Sequence, residues 1–146
     1  MSAEAEAKKR SRRNGQAVVE FALVLPLFVL LVFGALEFGR AYYNIHLLTN
    51  AAREGAREGS LPGKLEADVE QKVDSFLNGV GLSGTWTTGV TVTAPDGTER
   101  SGLAAAQEGD AVAVGITYQF TVLSGSVLPG FSGTVPLEGR CVFRHE

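Results

Sequence analysis

The chain has one cysteine in 146 residues, Cys141, which excludes an intramolecular disulfide and any metal site built from several thiolates. Stability must come from packing. Histidine is nearly as scarce: His46 and His145 have no cysteine or carboxylate cluster at ligand spacing around them, and both read as solvated side chains. The sequence has no phosphate-cradling glycine loop, nucleophile elbow or calcium-binding loop, which argues against an enzyme and calls for no cofactor or metal. Aromatic residues do not interleave with the Lys and Arg of the head, so no nucleic-acid partner is expected. Charge is missing altogether from residues 21–36.

The charge that is present is placed asymmetrically. Residues 1–15 hold five basic and two acidic groups, net +3, whereas residues 16–146 hold eight basic and fourteen acidic groups, net −6. The positive groups, Lys8, Lys9, Arg10, Arg12 and Arg13, come just before the uncharged stretch, and a basic flank of this kind is retained in the cytoplasm while the remainder crosses. Residues 16–36, read as a helix, span roughly 30 Å, the thickness of the hydrocarbon layer. Phe38, Tyr42 and Tyr43 then form an aromatic belt at the far interface, beside Glu37 and Arg40. The expected topology is a single pass through the cytoplasmic membrane, with lipid as a partner. The N-terminus lies inside, and about 100 residues outside form one small domain.

A cleavable secretory signal also starts with basic residues and an apolar run. The small residues it needs are badly placed here: Phe33-Gly34-Ala35 has a large residue three before the cut, and Gly39-Arg40-Ala41 is only a weak site. Arg12-Arg13 is followed by Asn14-Gly15-Gln16, not by the apolar pair of a twin-arginine signal. The head has no cysteine to lipidate. A retained helix fits better.

Glu20 is the anomaly within it. A carboxylate at the centre of a membrane helix costs about 2.5 to 3.5 kcal/mol, less near the interface, and such a group is a functional hypothesis by default. The bland reading is a side chain snorkelling to the interface at the positive end of the helix dipole. The other reading is that an amine pairs with Glu20, reducing the cost of burial. That amine could belong to a neighbouring subunit and set axial register, or to the same chain, because Gln16 and Glu20 are i and i+4 on one helix.

Gly15-Gln16-Ala17-Val18-Val19-Glu20-Phe21 behind a basic leader resembles the processing site of type IV pilins and pseudopilins. In those proteins a prepilin peptidase cuts after the glycine, and the carboxylate is the fifth residue of the mature chain. Further on, Gln16-Ala17-Val18-Val19-Glu20-Phe21-Ala22-Leu23-Val24-Leu25-Pro26, Glu37-Phe38-Gly39-Arg40-Ala41-Tyr42-Tyr43 and Thr49-Asn50-Ala51-Ala52-Arg53-Glu54-Gly55-Ala56-Arg57 are similar to the TadE family of Tad (Flp) pilus proteins. The resemblance covers about residues 14–60. It implies a minor pilin or pseudopilin whose partners are the prepilin peptidase, other pilins and pilus assembly proteins. Two packing features lie in the helix: Pro26 removes a backbone donor and predicts a kink or local loosening, and Ala35 with Gly39 gives a small-xxx-small spacing that could admit another helix.

Beyond the membrane the helix is expected to run to about residue 60. Ala51, Gly55 and Gly59 form a stripe of small residues on one face, predicting close approach of another backbone, most simply a sheet. Gly59, Pro62 and Gly63 end the helix. A second helix is predicted over residues 64–78, with Leu65, Val69, Val73, Phe76 and Leu77 on its buried face and Glu66 and Asp68 in its first turn. The period then changes to strand-like. Val90 and Val92 alternate with Thr91 and Thr93, and Ala94-Pro95-Asp96-Gly97 is a turn. Residues 111–122 alternate most clearly, with Val112, Val114, Ile116, Tyr118, Phe120 and Val122 on one side. After a glycine-rich loop over residues 124–133, a last strand over 134–144 presents Val135, Leu137, Cys141 and Phe143, with Pro136 marking an edge. Cys141 reads as a small buried hydrophobe.

The fold class is therefore α+β and pilin-like: a long N-terminal transmembrane helix, a short helix and a small antiparallel sheet. Its parts are a cleaved leader at 1–15, the helix at 16–60 and an exterior domain at 61–146. A signal-anchored extracytoplasmic binding module, or a pseudopilin of a secretion or DNA-uptake machine, are the alternatives the residues leave open.

Overall fold

A computed structural model describes residues 3–123 and 133–146, with side chains from residue 15 onward. The chain forms helix α1 (Ala3–Gly59), helix α2 (Glu66–Gly79), strand β1 (Trp86–Thr93), a short 3-10 turn (Leu103–Ala105), and strands β2 (Ala111–Thr121) and β3 (Thr134–Arg144). Two compact units divide it, Met1–Phe38 and Gly39–Glu146. Helix α1 begins at Ala3, and the residues before Gln16 are rich in Ala, Glu, Lys and Arg, all good helix formers. Pro26 lies inside this helix without ending it. In the first unit most of the described apolar side chains are exposed, among them Phe21, Leu23, Leu27, Phe28 and Leu31.

In the second unit the three strands form an antiparallel sheet in the order β1-β2-β3, so β3 with Pro136 is an edge as expected. Register follows the alternation. Val92, Val112 and Phe143 line up across the sheet, and so do Val90, Val114 and Cys141. Val112, Val114, Ile116, Tyr118 and Phe120 are buried, with Val122, Leu137, Cys141 and Phe143 packed against them. β2 ends one residue short of the predicted boundary. Val135 was expected on the inner face, but it is 48% exposed near the start of the edge strand, although it pairs with Phe120. The Ala94–Gly97 turn closes as read, with the Gly97 N–H donating to the Ala94 carbonyl and Thr98 N–H to Asp96 Oδ1. The glycine-rich loop expected over 124–133 lies, apart from Gly133, outside the described residues.

Helix α2 buries Val69, Val73 and Leu77 as predicted, each contributing about 1.5 to 3 kcal/mol of transfer free energy. Leu65 departs from the expected face. It sits at the N-cap, 55% exposed, and its N–H donates to Asp68 Oδ2 at 2.9 Å. Asp74 accepts a hydrogen bond from the Trp86 indole at 2.7 Å, which ties α2 to β1.

The small-residue stripe of α1 is buried, but its neighbours differ from those expected. A Cβ on Gly55 would lie 2.8 Å from Val73 Cγ2 and 3.4 Å from Val114 Cγ1, and one on Gly59 3.1 Å from Val69 and 3.2 Å from Val112. Valine side chains of α2 and the sheet fill the space, not another backbone. True backbone proximity occurs at Gly139 of β3, whose absent Cβ would stand 2.5 Å from the Leu48 carbonyl carbon and 2.6 Å from Thr49 N. Gly139 pairs with Ile116 in the inward-facing row of the sheet, and α1 lies against the gap it leaves.

A polar cluster closes the opposite end of the domain. Asp110 is 1% exposed; Arg100 Nε donates to its Oδ2 at 3.0 Å, and the Gln107 N–H donates to the same oxygen at 2.8 Å. The Arg100 guanidinium, then the Gln107 N–H, hold its carboxyl below the usual carboxylate range. The C-terminal residues pack here too, with the His145 N–H donating to the Asp110 carbonyl and the Glu146 N–H to the Ser60 carbonyl.

Candidate functional site

The predicted site residues all lie on α1. Gly15, Gln16, Glu20 and Phe21 share about two turns of continuous helix and are exposed. Gln16 Nε2 donates to Glu20 Oε1 at 3.1 Å. This is the i to i+4 geometry expected of the pair, but it is made by the side-chain amide, which needs no cleavage to be present.

Two groups of glycines on α1 behave differently. Those at 55 and 59 are required by valines of this chain, whereas a Cβ added at Gly15, Gly34 or Gly39 would meet nothing within 4 Å. Glycine inside a helix costs about 1 kcal/mol relative to alanine, and no packing among the described residues offsets that cost at position 15. Pro26 and Ala35, the other predicted packing positions, also lie on exposed helix surface in the first unit. The backbone of Lys8, Lys9, Arg10, Arg12 and Arg13 is helical. Phe38, Tyr42 and Tyr43, the expected belt, are exposed, and Tyr42 meets His46 edge-on with ring centroids 4.4 Å apart.

This stretch is TadE-like: the family model described as TadE-like protein matches residues 15–57. No curated protein and no solved structure matches the chain. The TadE-like match opens on Gly15 and closes within the small-residue stripe, the same interval that carried the resemblance in the sequence. Among the described residues, one helix is long and apolar enough to cross a membrane, and it contains this segment.

Sequence reasoning missed the residues that seat the TadE-like helix in its domain. Gly139 has no local signal, since a lone glycine in an alternating strand reads as a weakness or a bulge. Asn44, buried on the domain side of α1, interrupts an otherwise small and apolar face and was equally invisible. Arg40 was read only as an interfacial charge, yet its Cζ stands 4.8 Å from the Phe120 ring centroid, a cation–π contact.

Proposed function

We propose that the chain is a minor pilin or pseudopilin of a Tad-type pilus assembly system. It is inserted in the cytoplasmic membrane with its basic leader inside and its sheet domain outside, and is cut after Gly15 by a prepilin peptidase. The observation that carries the reading is the TadE-like match beginning at Gly15, on a helix whose apolar surface is largely exposed and whose glycines at 15, 34 and 39 meet no packing neighbour among the described residues. Such a surface is suited to the helices of other pilins, with Glu20 fixing their register through a charged or amide partner. The peptidase, other pilins and pilus assembly proteins are the partners, and the chain itself catalyses nothing in this scheme.

The test is intact and N-terminal mass analysis of membrane-extracted protein from cells with and without the peptidase. A mature terminus at Gln16 only where the peptidase is present is expected. Met1 or Ser2 at the terminus in both strains would refute cleavage. Glu20→Ala should abolish assembly while leaving insertion intact, whereas a merely anchored binding module would keep its localisation and partners.

A further inference from the structure

The two edges of the sheet are finished differently. Edge strand β3 carries Pro136, Glu138, Arg140 and Arg144, residues that discourage the addition of a further strand. Edge strand β1 has no such guard: Trp86–Thr93 is mostly Thr and Val, with neither proline nor charge. Its backbone directions follow from two hydrogen bonds. The Thr85 carbonyl accepts from the Gln119 N–H on the β2 side, whereas the Val92 carbonyl accepts from the Arg100 N–H on the opposite side. Strand alternation therefore turns the N–H and C=O of Thr88 and Val90 outward, away from β2. The turn over residues 94–100 folds back only as far as Val92, through the Thr93–Glu99 bridge. Among the described residues, the outward backbone groups of Thr88 and Val90 have no hydrogen-bond partner.

The charge beside this edge is of one sign. Glu70 and Asp74 of α2 line a hollow of about 230 Å³ together with Trp86, Thr87 and Thr88, and no basic side chain is among its lining residues. Lys72 of α2 lines a different hollow, with Glu58 and Lys64, and Arg100 is held by Asp110. Both carboxylates of the β1 hollow are exposed. Asp74 accepts from the Trp86 indole through Oδ1 and retains acceptor capacity on Oδ2. Side chains on one face of a strand recur about every 7 Å, and residues one helical turn apart are separated by about 6 Å of rise, so alternate side chains of an added strand match the spacing of the two carboxylates. We propose that β1 accepts an extended segment of a partner polypeptide as a further strand, with Lys or Arg at alternate positions of that segment paired to Glu70 and Asp74. Backbone hydrogen bonds to Thr88 and Val90 supply affinity, and the carboxylates select the basic sequence. The inference concerns the second unit alone and rests neither on cleavage after Gly15 nor on entry into a filament.

The test uses the full-length chain in detergent at low salt with short synthetic peptides, one alternating Thr with Lys and one alternating Thr with Glu. Binding is read from the emission of Trp86, the chain's single tryptophan, and from amide hydrogen exchange at Thr88 and Val90. The Lys peptide should bind about tenfold more tightly than the Glu peptide and slow exchange at both amides. Glu70→Gln combined with Asp74→Asn should remove that preference, while the asparagine oxygen can still accept the Trp86 indole hydrogen bond. A Lys peptide N-methylated throughout should bind about tenfold more weakly or not at all, a comparison that leaves the protein unaltered. Thr88→Pro should weaken binding of the unmethylated peptide as well, because the lost N–H takes no part in the β1–β2 ladder. Equal binding of the Lys and Glu peptides, or binding of neither, would overturn the proposal. Undiminished binding of the N-methylated peptide would also overturn it, leaving an acidic patch without strand addition.

Discussion

Gly139→Ala tests the seating of α1 on the sheet with the smallest possible change. One added methyl group would stand 2.5 Å from the Leu48 carbonyl carbon and 2.6 Å from both Leu48 Cβ and Thr49 N. Ordinary contacts begin near 3.4 Å, so helix and strand must separate by about 1 Å, and the obstacle is backbone, which has no rotamer to change. Overpacking costs typically 1 to 3 kcal/mol, and the rigidity of this neighbour puts the variant at about 3 kcal/mol. For a domain of this size that corresponds to a loss of roughly 12 to 24 °C in Tm. Thermal unfolding of the detergent-solubilised chain, followed by circular dichroism, is the assay. Gly115→Ala is the control, because a Cβ there meets nothing within 4 Å, and it should be neutral or slightly stabilising. Gly55→Ala should fall between the two, since its nearest neighbour is a valine methyl that can shift. A Gly139→Ala Tm equal to that of Gly115→Ala would refute the close approach.

Three further outcomes follow from the second unit. Asp110 has its carboxyl held below the usual range, so its contribution is present at pH values above the unfolded value of about 4 and is lost as pH falls through the lowered folded value. Asp110→Asn should therefore be less stable at neutral pH and lose less Tm between pH 5 and pH 2 than the parent; parallel Tm profiles would contradict this. Asp74→Ala should shift the emission of Trp86, the chain's single tryptophan, by removing the carboxylate 2.7 Å from its indole nitrogen, with a stability loss under about 1 kcal/mol at this exposed position. Tyr118→Phe removes the hydroxyl that donates to the Ser83 carbonyl at 2.7 Å and should cost about 1 kcal/mol in a denaturant titration.

Local period made most of the fold legible. The alternation from Val112 to Phe120 and the i, i+4 spacing of Val69, Val73 and Leu77 are direct imprints of one buried face, and both elements appear where they were read. Contacts decided by tertiary geometry were not legible. Gly55 and Gly59 announced that something approaches, yet glycine records only the absence of a Cβ and cannot say whether valine methyls or a backbone fill the space. Leu65 and Val135 satisfied the periodicity, but both lie at element ends, where a face runs out of neighbours and periodicity loses its meaning.

The segment around Gly15 and Glu20 drew notice for a different reason: its residues break rules of local economy. A glycine inside a helix and a carboxylate beside an apolar run are each unfavourable in isolation, and neither is compensated by packing among the described residues. The structure also reframes the choice between an amine of the same chain and one from a neighbour. With residues 1–15 in place, Gln16 donates from its side-chain amide to one carboxylate oxygen of Glu20. A carboxylate accepts several hydrogen bonds, so this contact can pre-orient Glu20 and still leave acceptor capacity for an amine. Gln16→Leu separates the two roles, since it removes the amide but leaves the terminal amine that cleavage would create. If the amine alone sets register, assembly survives Gln16→Leu and fails in Glu20→Gln; if pre-orientation by the amide is required, assembly fails in both.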